Sequence, residues 1–209
     1  MEDEWQLKPL VGLGRLRFTM SPTAVSSFDP IFGVVTDRTN RVASEDTVEE
    51  TLALFGGSMN EDQIAALRAA LSQQNATAAQ EEVELRREAG LQMTYQAAEL
   101  VEIFADMKAR RLHFDGAPFF ERYPRRVLRS LISANGGTCL ARGRELLFET
   151  MLVQLFAFVD RADGEEFELI DRDGEVGSDR SVTWYRKGSF EVSDDTNYRR
   201  ITDADLGLG

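Results

Sequence analysis

Two stretches of opposite charge hold most of the side chains of this chain that could bind a ligand or a partner. The stretch from residue 160 to residue 179 contains nine acidic and two basic residues. An acidic surface of this kind either keeps a strand edge solvated or attracts a basic partner and speeds its association. The residues predicted to contact such a partner are Glu165, Glu166, Glu168, Asp171, Asp173 and Trp184, where the tryptophan is an interface anchor unless it packs in the core.

The basic stretch lies between residues 108 and 129, where seven Lys and Arg side chains face two acidic ones. These arginines either pair with carboxylates of the same chain or form a pocket for a small anion such as phosphate. The second interpretation is the hypothesis of an enzyme or sensor, with Asp115 as a base. Its anion-binding residues are Arg122, Arg125, Arg126 and Arg129.

Two short motifs have part of the pattern of a ligand loop. A dinucleotide fingerprint needs a third glycine, but after Gly12-x-Gly14 the corresponding position is Arg17. We therefore expect the two glycines to lead into a strand over residues 13–18. The acidic run that starts at Asp171 has Val176 and Val182 where a calcium loop requires Gly and Glu. A solvated hairpin turn is the better interpretation of that run.

The composition limits the classes of function further. A single cysteine, Cys139, and a single histidine, His113, allow no disulfide within the chain and leave too few ligands for thiolate or imidazole metal sites. The net charge of −12 disfavours nucleic acid and anionic lipid as partners. The acidic N-terminus does not resemble a secretory signal, and no apolar run is long enough to span a membrane. We expect a cytoplasmic protein with no cofactor and no metal.

Several elements are predicted from local signals. Ser21 followed by Pro22 indicates the start of a helix, and Gly33 indicates the end of that unit. A second helix is predicted over 124–134, closed by Asn135-Gly136-Gly137. Alternating patterns and apolar runs predict strands from Gly90 onwards. Residues 151–159 are apolar on both faces and predict a central strand.

These elements predict an α+β fold with a mostly antiparallel sheet, covered on one face by the helices near 22–32 and 124–134. We expect a single domain over residues 1–209. Residues 45–89 are predicted to be a helical insertion, with helices that start at Asp46 and after Asn60 and a helical continuation over 77–89. Residues 193–209 are predicted to be a partly loose tail, and the sequence predicts no oligomeric state.

Part of the sequence resembles a known motif. The stretch GRLRFTMSPTAVSSFDPIFG is similar to the strand-turn-helix motif of BamE/SmpA-like and β-lactamase-inhibitor-like modules and of uncharacterised, actinobacterial-type bacterial proteins. Met20, Ser21, Val25 and Gly33 match this motif, whereas Thr19 and Ala24 replace its usual Gly and Glu. The stretches LHFDGAPFFERYPRRVLRSLISANGG and ELLFETMLVQLFAFVD resemble the later half of the same bacterial proteins.

The resemblance implies an immunity protein or another inhibitory binding module. A non-enzymatic chain would then block a basic bacterial toxin by covering its cationic active site with an acidic face. The small-anion enzyme or sensor described above is the alternative. A structural protein of unknown function is a third hypothesis, and the residues alone do not choose among the three.

Overall fold

A computed structural model describes residues 3–39, 61–78, 81–161, 167–173, 176–190 and 197–208. The described helices are α1 Pro22–Ser26, α2 Asp29–Phe32, α3 Glu61–Ala78 and α4 Arg125–Ala134, with a 3-10 turn at Val176–Asp179. The strands of the main sheet are β4 Asp37–Thr39, β5 Glu81–Arg86, β6 Leu91–Gln96, β7 Glu99–Asp106, β10 Cys139–Arg142, β11 Glu145–Phe148, β12 Val153–Phe156, β15 Ser181–Tyr185 and β16 Arg199–Ile201. The smaller sheets contain β1 Leu7–Lys8, β2 Gly12–Leu13, β3 Leu16–Arg17, β8 His113–Phe114, β9 Ala117–Pro118, β13 Val159–Arg161 and β14 Phe167–Leu169.

The main sheet has nine strands in the order β16-β10-β11-β12-β15-β7-β6-β5-β4. Each neighbouring pair of these strands is antiparallel. The α+β fold with a mostly antiparallel sheet is therefore confirmed. The turn between β6 and β7 contains Ala97 and Ala98, both at positive φ, which is the geometry that joins tightly paired strands.

One face of the sheet carries the core. A row of directly paired residues runs across five strands and is buried throughout: Met93, Ile103, Trp184, Val153 and Phe148. Val25 of α1, Phe32 of α2 and the apolar side of α4 belong to the same buried cluster. Both helical segments thus bury their apolar side chains in the core on this face, as the sequence predicted.

Local signals set the helix ends. The Ser21 hydroxyl accepts a hydrogen bond from the Ala24 amide, and Pro22 occupies the first turn, where its missing N–H costs no hydrogen bond. At the end of α4, the Asn135 amide bonds to the Leu131 carbonyl, and Gly137 donates to Ile132. The predicted caps at both places are confirmed.

The N-terminal glycines form a hairpin rather than one continuous strand over 13–18. Strands β2 and β3 pair with each other, and the turn between them contains Gly14. The Gly14 amide donates to the Gln6 carbonyl, and the Trp184 indole donates to the Gly12 carbonyl over 3.0 Å. The Gly14 amide and the Gly12 carbonyl are thus hydrogen-bonded to groups of the protein itself.

Three other sequence predictions need correction. Residues 81–86, predicted as helix within the insertion 45–89, form β5 inside the main sheet, whereas α3 agrees with the predicted helix after Asn60. The predicted strand 151–159 is divided by Ala157, at positive φ, into β12 and β13. Within the predicted loose tail 193–209, β16 pairs with β10, and Leu206 and Leu208 are buried. The helix predicted at Asp46 lies outside the described residues.

Candidate functional site

The acidic stretch forms a separate two-stranded hairpin. In β13 and β14, Asp160 lies directly opposite Glu168, and Val159 lies opposite Leu169. Val159 and Phe167 are buried in the core and anchor the hairpin, while the Glu168 side chain is exposed. Glu165 and Glu166 lie outside the described residues. Of the predicted partner contacts, Glu168 therefore has the placement that a surface contact requires.

Asp171 is engaged within the chain. Its carboxylate accepts a bifurcated hydrogen bond from Arg122 Nε, shared between its two oxygens, and one over 2.8 Å from Arg122 Nη2. The Tyr123 hydroxyl donates a further bond over 3.1 Å. The hydrogen bonds from Arg122, followed by the one from the Asp173 amide, lower the pKa of Asp171 to about 2. Asp171 is consequently an anion at all physiological pH values and already has a cationic partner.

Asp173 is also paired, with Arg172 Nη2 at 2.8 Å and more distantly with Arg122 Nε at 3.7 Å. Its side chain remains half exposed at 51%. Arg172 in turn donates to the Phe120 carbonyl over 3.0 Å. Asp173 therefore fixes the loop after β14 and still presents part of its carboxylate to solvent.

The four arginines predicted to bind an anion are each hydrogen-bonded inside the protein. Beside the Arg122 pair with Asp171, Arg125 donates to the Gly207 carbonyl over 2.6 Å and Arg126 to the Gly116 carbonyl over 3.2 Å. Arg129 donates to the Leu208 carbonyl. These contacts hold the segment 203–208 and the turn of the β8–β9 hairpin against α4. The first of the two sequence interpretations, pairing within the chain, describes Arg122, whereas the other three bind backbone carbonyls.

Trp184 cannot contact a partner in this structure, because its side chain is fully buried in the main sheet. Its indole nitrogen is satisfied by the Gly12 carbonyl, so the residue ties the N-terminal hairpin to β15. The prediction of Trp184 as an interface anchor is wrong. Val182 and Trp184 alternate with Thr183, and this pattern already places the tryptophan on the apolar face of its strand.

A cleft of about 720 Å³ lies between the start of α4, strand β14 and the segment 203–208. It brings together one residue from each predicted set, Glu168 and Arg125, with the aromatic ring of Tyr123 beside them. The Tyr123 side chain is 48% exposed, and tyrosine is favoured at protein interfaces because its ring is apolar and its hydroxyl is polar. The cleft and the acidic hairpin thus form a continuous candidate contact surface, since Glu168 belongs to both.

A cleft of about 570 Å³ contains two residues of the alternative hypothesis, Asp115 and Arg129, and two serines of α4 also line it. Arg126, in contrast, bonds to the Gly116 carbonyl of the adjacent turn. This arrangement places the predicted base near one predicted anion-binding arginine. It brings no other member of the predicted set of four into the same cleft.

A buried charged cluster, which the sequence did not indicate, lies between α2 and strands β4, β5 and β6. Glu84 and Arg86 are fully buried. Glu84 accepts hydrogen bonds from Arg38 over 2.8 Å and from the Tyr95 hydroxyl over 3.0 Å, while Arg86 donates to Asp29 over 2.7 Å. Burial and then the adjacent Glu84 charge raise the pKa of Tyr95. The incorrect helix prediction over 77–89 hid this cluster, because it assigned Glu84 and Arg86 to a helix.

The remaining single-copy residues have structural contacts. His113 Nε2 lies 2.9 Å from an oxygen of Asp3, and its backbone amide donates to the Trp5 carbonyl. Cys139 is buried in β10, and burial raises the pKa of its thiol to about 12, which keeps it protonated and unreactive. Within the described ranges, no group of three or more His, Cys, Asp or Glu side chains is arranged to hold a metal ion.

Comparisons with known proteins give no family to which these sites could be referred. No protein-family model, no curated protein and no solved structure matches the chain. In the part of the chain that the structure describes, no helix combines the length and the apolar character needed to cross a membrane.

Proposed function

We propose that this chain is a non-enzymatic protein-binding module whose acidic hairpin, β13–β14, contacts a basic partner. The observation that carries the proposal is the direct cross-strand pairing of Asp160 with Glu168. Like charges placed directly opposite each other destabilise a strand pair, by an amount of the order of 0.2–1 kcal/mol. A local rule broken without an evident gain is typical of functional sites.

The charges around the hairpin support this proposal. Arg144 Nε lies 3.6 Å from Asp160, which is a weak, exposed pair, and Glu168 has no ion-pair partner within the described ranges. The chain between the two strands adds Asp163, Glu165 and Glu166. A cationic surface that covered this hairpin would relieve the repulsion between Asp160 and Glu168. The two carboxylates would then be stabilised only in the complex with the partner.

The finer proposal follows the resemblance described above. The partner is a basic bacterial toxin, the chain acts in the cytoplasm as its immunity or inhibitor protein, and the acidic hairpin covers the cationic active site. The mechanism is stoichiometric blockade, in which the carboxylates speed encounter and the adjacent cleft with Tyr123 supplies contact area. No chemical step by this chain is required.

The second candidate function is an enzyme or sensor for a small anion at α4. It is favoured by one observation, the shared cleft of Asp115 and Arg129. Two observations make it the weaker candidate: Arg122 is paired with the Asp171 carboxylate, and of the four predicted arginines only Arg129 lines the cleft with Asp115.

The test begins with affinity capture of partners from lysate of the source organism at low and high salt. The rate constant for association of the captured protein with this chain is then measured. Glu168→Lys should slow association at least fivefold at low salt and reduce its salt dependence, because a charge at an interface acts mainly on the on-rate. The matched control is Glu88→Lys, an exposed residue in the β5–β6 turn with the same change of net charge, and it should alter the rate less than twofold.

Two results would contradict the proposal. Equal slowing by both variants would mean that only the net charge matters and that the hairpin is not the contact surface. Failure to capture a basic protein at either salt concentration would favour the small-anion candidate instead.

A further inference from the structure

A cleft on another part of the protein has the chemistry of a small-ligand site. It encloses about 690 Å³ next to the turn between β7 and β8, within the range of about 300–1,000 Å³ that is usual for ligand pockets. Its apolar lining consists of Met107, Pro118 and Phe120. Its polar lining has three cations, Lys108, Arg110 and Arg172, against the two carboxylates of Glu121 and Asp173. The cleft thus has a small excess of cations, although the chain as a whole has a net charge of −12.

Two of these cations have no carboxylate partner among the residues that the structure describes. Arg172 is neutralised by Asp173. Lys108 Nζ reaches only the Arg87 carbonyl, at 3.3 Å, and a carbonyl does not remove its charge. The exposed guanidinium of Arg110 has no hydrogen bond or ion pair with any residue that the structure describes. This distinguishes Arg110 from the four arginines at α4, all of which are bonded within the protein.

The turn that carries the two cations is held rigidly. The Lys108 amide donates to the Asp106 carboxylate over 2.8 Å, and Ala109, between the two cations, is buried. Gly90 packs so closely under this turn that an added Cβ would lie 2.8 Å from the Lys108 Cβ and 2.9 Å from the Ala109 amide nitrogen. A fixed backbone lowers the entropy that a ligand must remove on binding, since only the side chains need to be ordered.

The opposite wall is also held in place. Gly177 lies against the backbone of Asp171 and Arg172, where a Cβ would approach the Arg172 Cα to 2.6 Å. The Arg172 guanidinium is fixed by the Phe120 carbonyl and by Asp173. Both walls are therefore shaped before any ligand arrives, and the cations without a carboxylate partner lie on one of them.

We propose that this cleft binds a small organic anion with an apolar body. Arg110 and Lys108 hold its carboxylate, phosphate or sulfonate group, and Met107, Pro118 and Phe120 contact its aromatic or aliphatic part. The planar guanidinium provides two parallel donors to an oxyanion, and the ammonium adds a point charge. The site is separate from the acidic hairpin and does not depend on the protein-binding proposal.

The test uses 8-anilinonaphthalene-1-sulfonate as the probe, and its binding is measured by the change in its fluorescence as the protein is added. The double variant Arg110→Gln, Lys108→Gln should weaken binding at least tenfold. Arg200→Gln is the control, because this exposed arginine of β16 pairs with Glu149 at 2.8 Å and does not line the cleft, and it should leave the affinity within twofold of the original chain. Circular dichroism and urea denaturation establish that each variant is folded.

A second arm needs no variant. N-phenyl-1-naphthylamine has the same rings without the sulfonate and should bind the original chain at least tenfold more weakly. In a titration with the sulfonate probe, amide shifts should change at Ala109 and Phe120. Equal affinity for the neutral probe, equal loss in the Arg200 control, or shifts confined to other parts of the chain would each overturn the proposal.

Discussion

The buried cluster around Glu84 makes the sharpest prediction about stability. The Glu84 carboxylate is inaccessible to solvent and lies between Arg38 at 2.8 Å, the Tyr95 hydroxyl at 3.0 Å and Arg86 Nη2 at 3.5 Å. Glu84→Gln keeps the shape of the side chain and removes its charge. Arg86, which is fully buried, then loses one of its two counter-charges.

The expected loss follows from the cost of an uncompensated buried charge. Removal of one partner from a buried ion pair costs about 3–5 kcal/mol. Asp29, at 2.7 Å from Arg86 Nη1, still neutralises the guanidinium in part, so we expect about 3 kcal/mol, at the lower end of that range. For a chain of this length, that loss corresponds to a fall in Tm of about 6–12 °C.

Urea denaturation followed by tryptophan fluorescence measures the loss, since Trp5 and Trp184 are both buried. The matched control is Glu82→Gln on the same strand. Glu82 is 42% exposed and lies 3.4 Å from Arg38, so its removal should cost about 0.2–1 kcal/mol. If Glu84→Gln cost no more than the control, the cluster would have to be solvated, and the inference that it is a buried counter-charge site would be refuted.

Two further predictions concern local strain and acid titration. Thr19→Gly should raise the free energy of unfolding by about 1 kcal/mol, because the exposed Thr19 has a φ of 77°, which is strained for threonine. The control Thr23→Gly, within α1, should lower it by about 0.5 kcal/mol. Urea denaturation measures both variants, and a destabilised Thr19→Gly variant would show that Thr19 is not strained. In Arg122→Gln, the carboxyl ¹³C titration of Asp171 should move from about 2 towards its usual 3.8. The stabilisation by this pair is present above pH 3.8 and is lost as the pH falls through about 2. An unchanged midpoint of the Asp171 titration in this variant would mean that Arg122 does not set this pKa.

The sequence predicted the structure where local chemistry decides it. The cap at Ser21 and the turn at residues 135–137 follow from the conformations that Ser, Asn and Gly favour, whatever the rest of the chain does. Strand β5 was mispredicted because Glu81–Arg86 contains residues with good helix propensity, and its strand state depends on pairing with β4 and β6. Such pairing joins residues far apart in sequence and overrides local propensity.

The candidate site shows the same division. The acidic character of β13–β14 is visible in the sequence, but the opposition of Asp160 and Glu168 depends on strand register. The partners of Arg125 and Arg129 are backbone carbonyls about 80 residues away, and no spacing rule indicates such contacts. The charge on Arg110 could be read from the sequence, but only the structure shows that it has no counter-charge within the described part of the chain.

The two halves of the chain share an order of elements, and the acidic hairpin interrupts that order in the second half. Hairpin β2–β3 precedes α1 and hairpin β8–β9 precedes α4. In the first half, the antiparallel strands β4 to β7 follow, and in the second half the strands β10, β11, β12 and β15 follow. The two sets meet where β7 pairs with β15. In the second half, residues 157–180 with β13 and β14 interrupt the set between β12 and β15, whereas β6 and β7 are joined by a tight turn.

Because of this interruption, the binding test can change the charge of the hairpin without changing the main sheet. Because β13 and β14 pair only with each other among the described strands, a charge change at the exposed Glu168 alters no hydrogen bond of the main sheet. Glu168→Lys also turns a repulsive cross-strand pair with Asp160 into an attractive one, so it should leave the free energy of unfolding unchanged or raise it by up to about 1 kcal/mol. A variant that binds its partner more slowly while folding at least as stably would separate function from stability at this position. A clear loss of stability would show instead that Glu168 serves the fold.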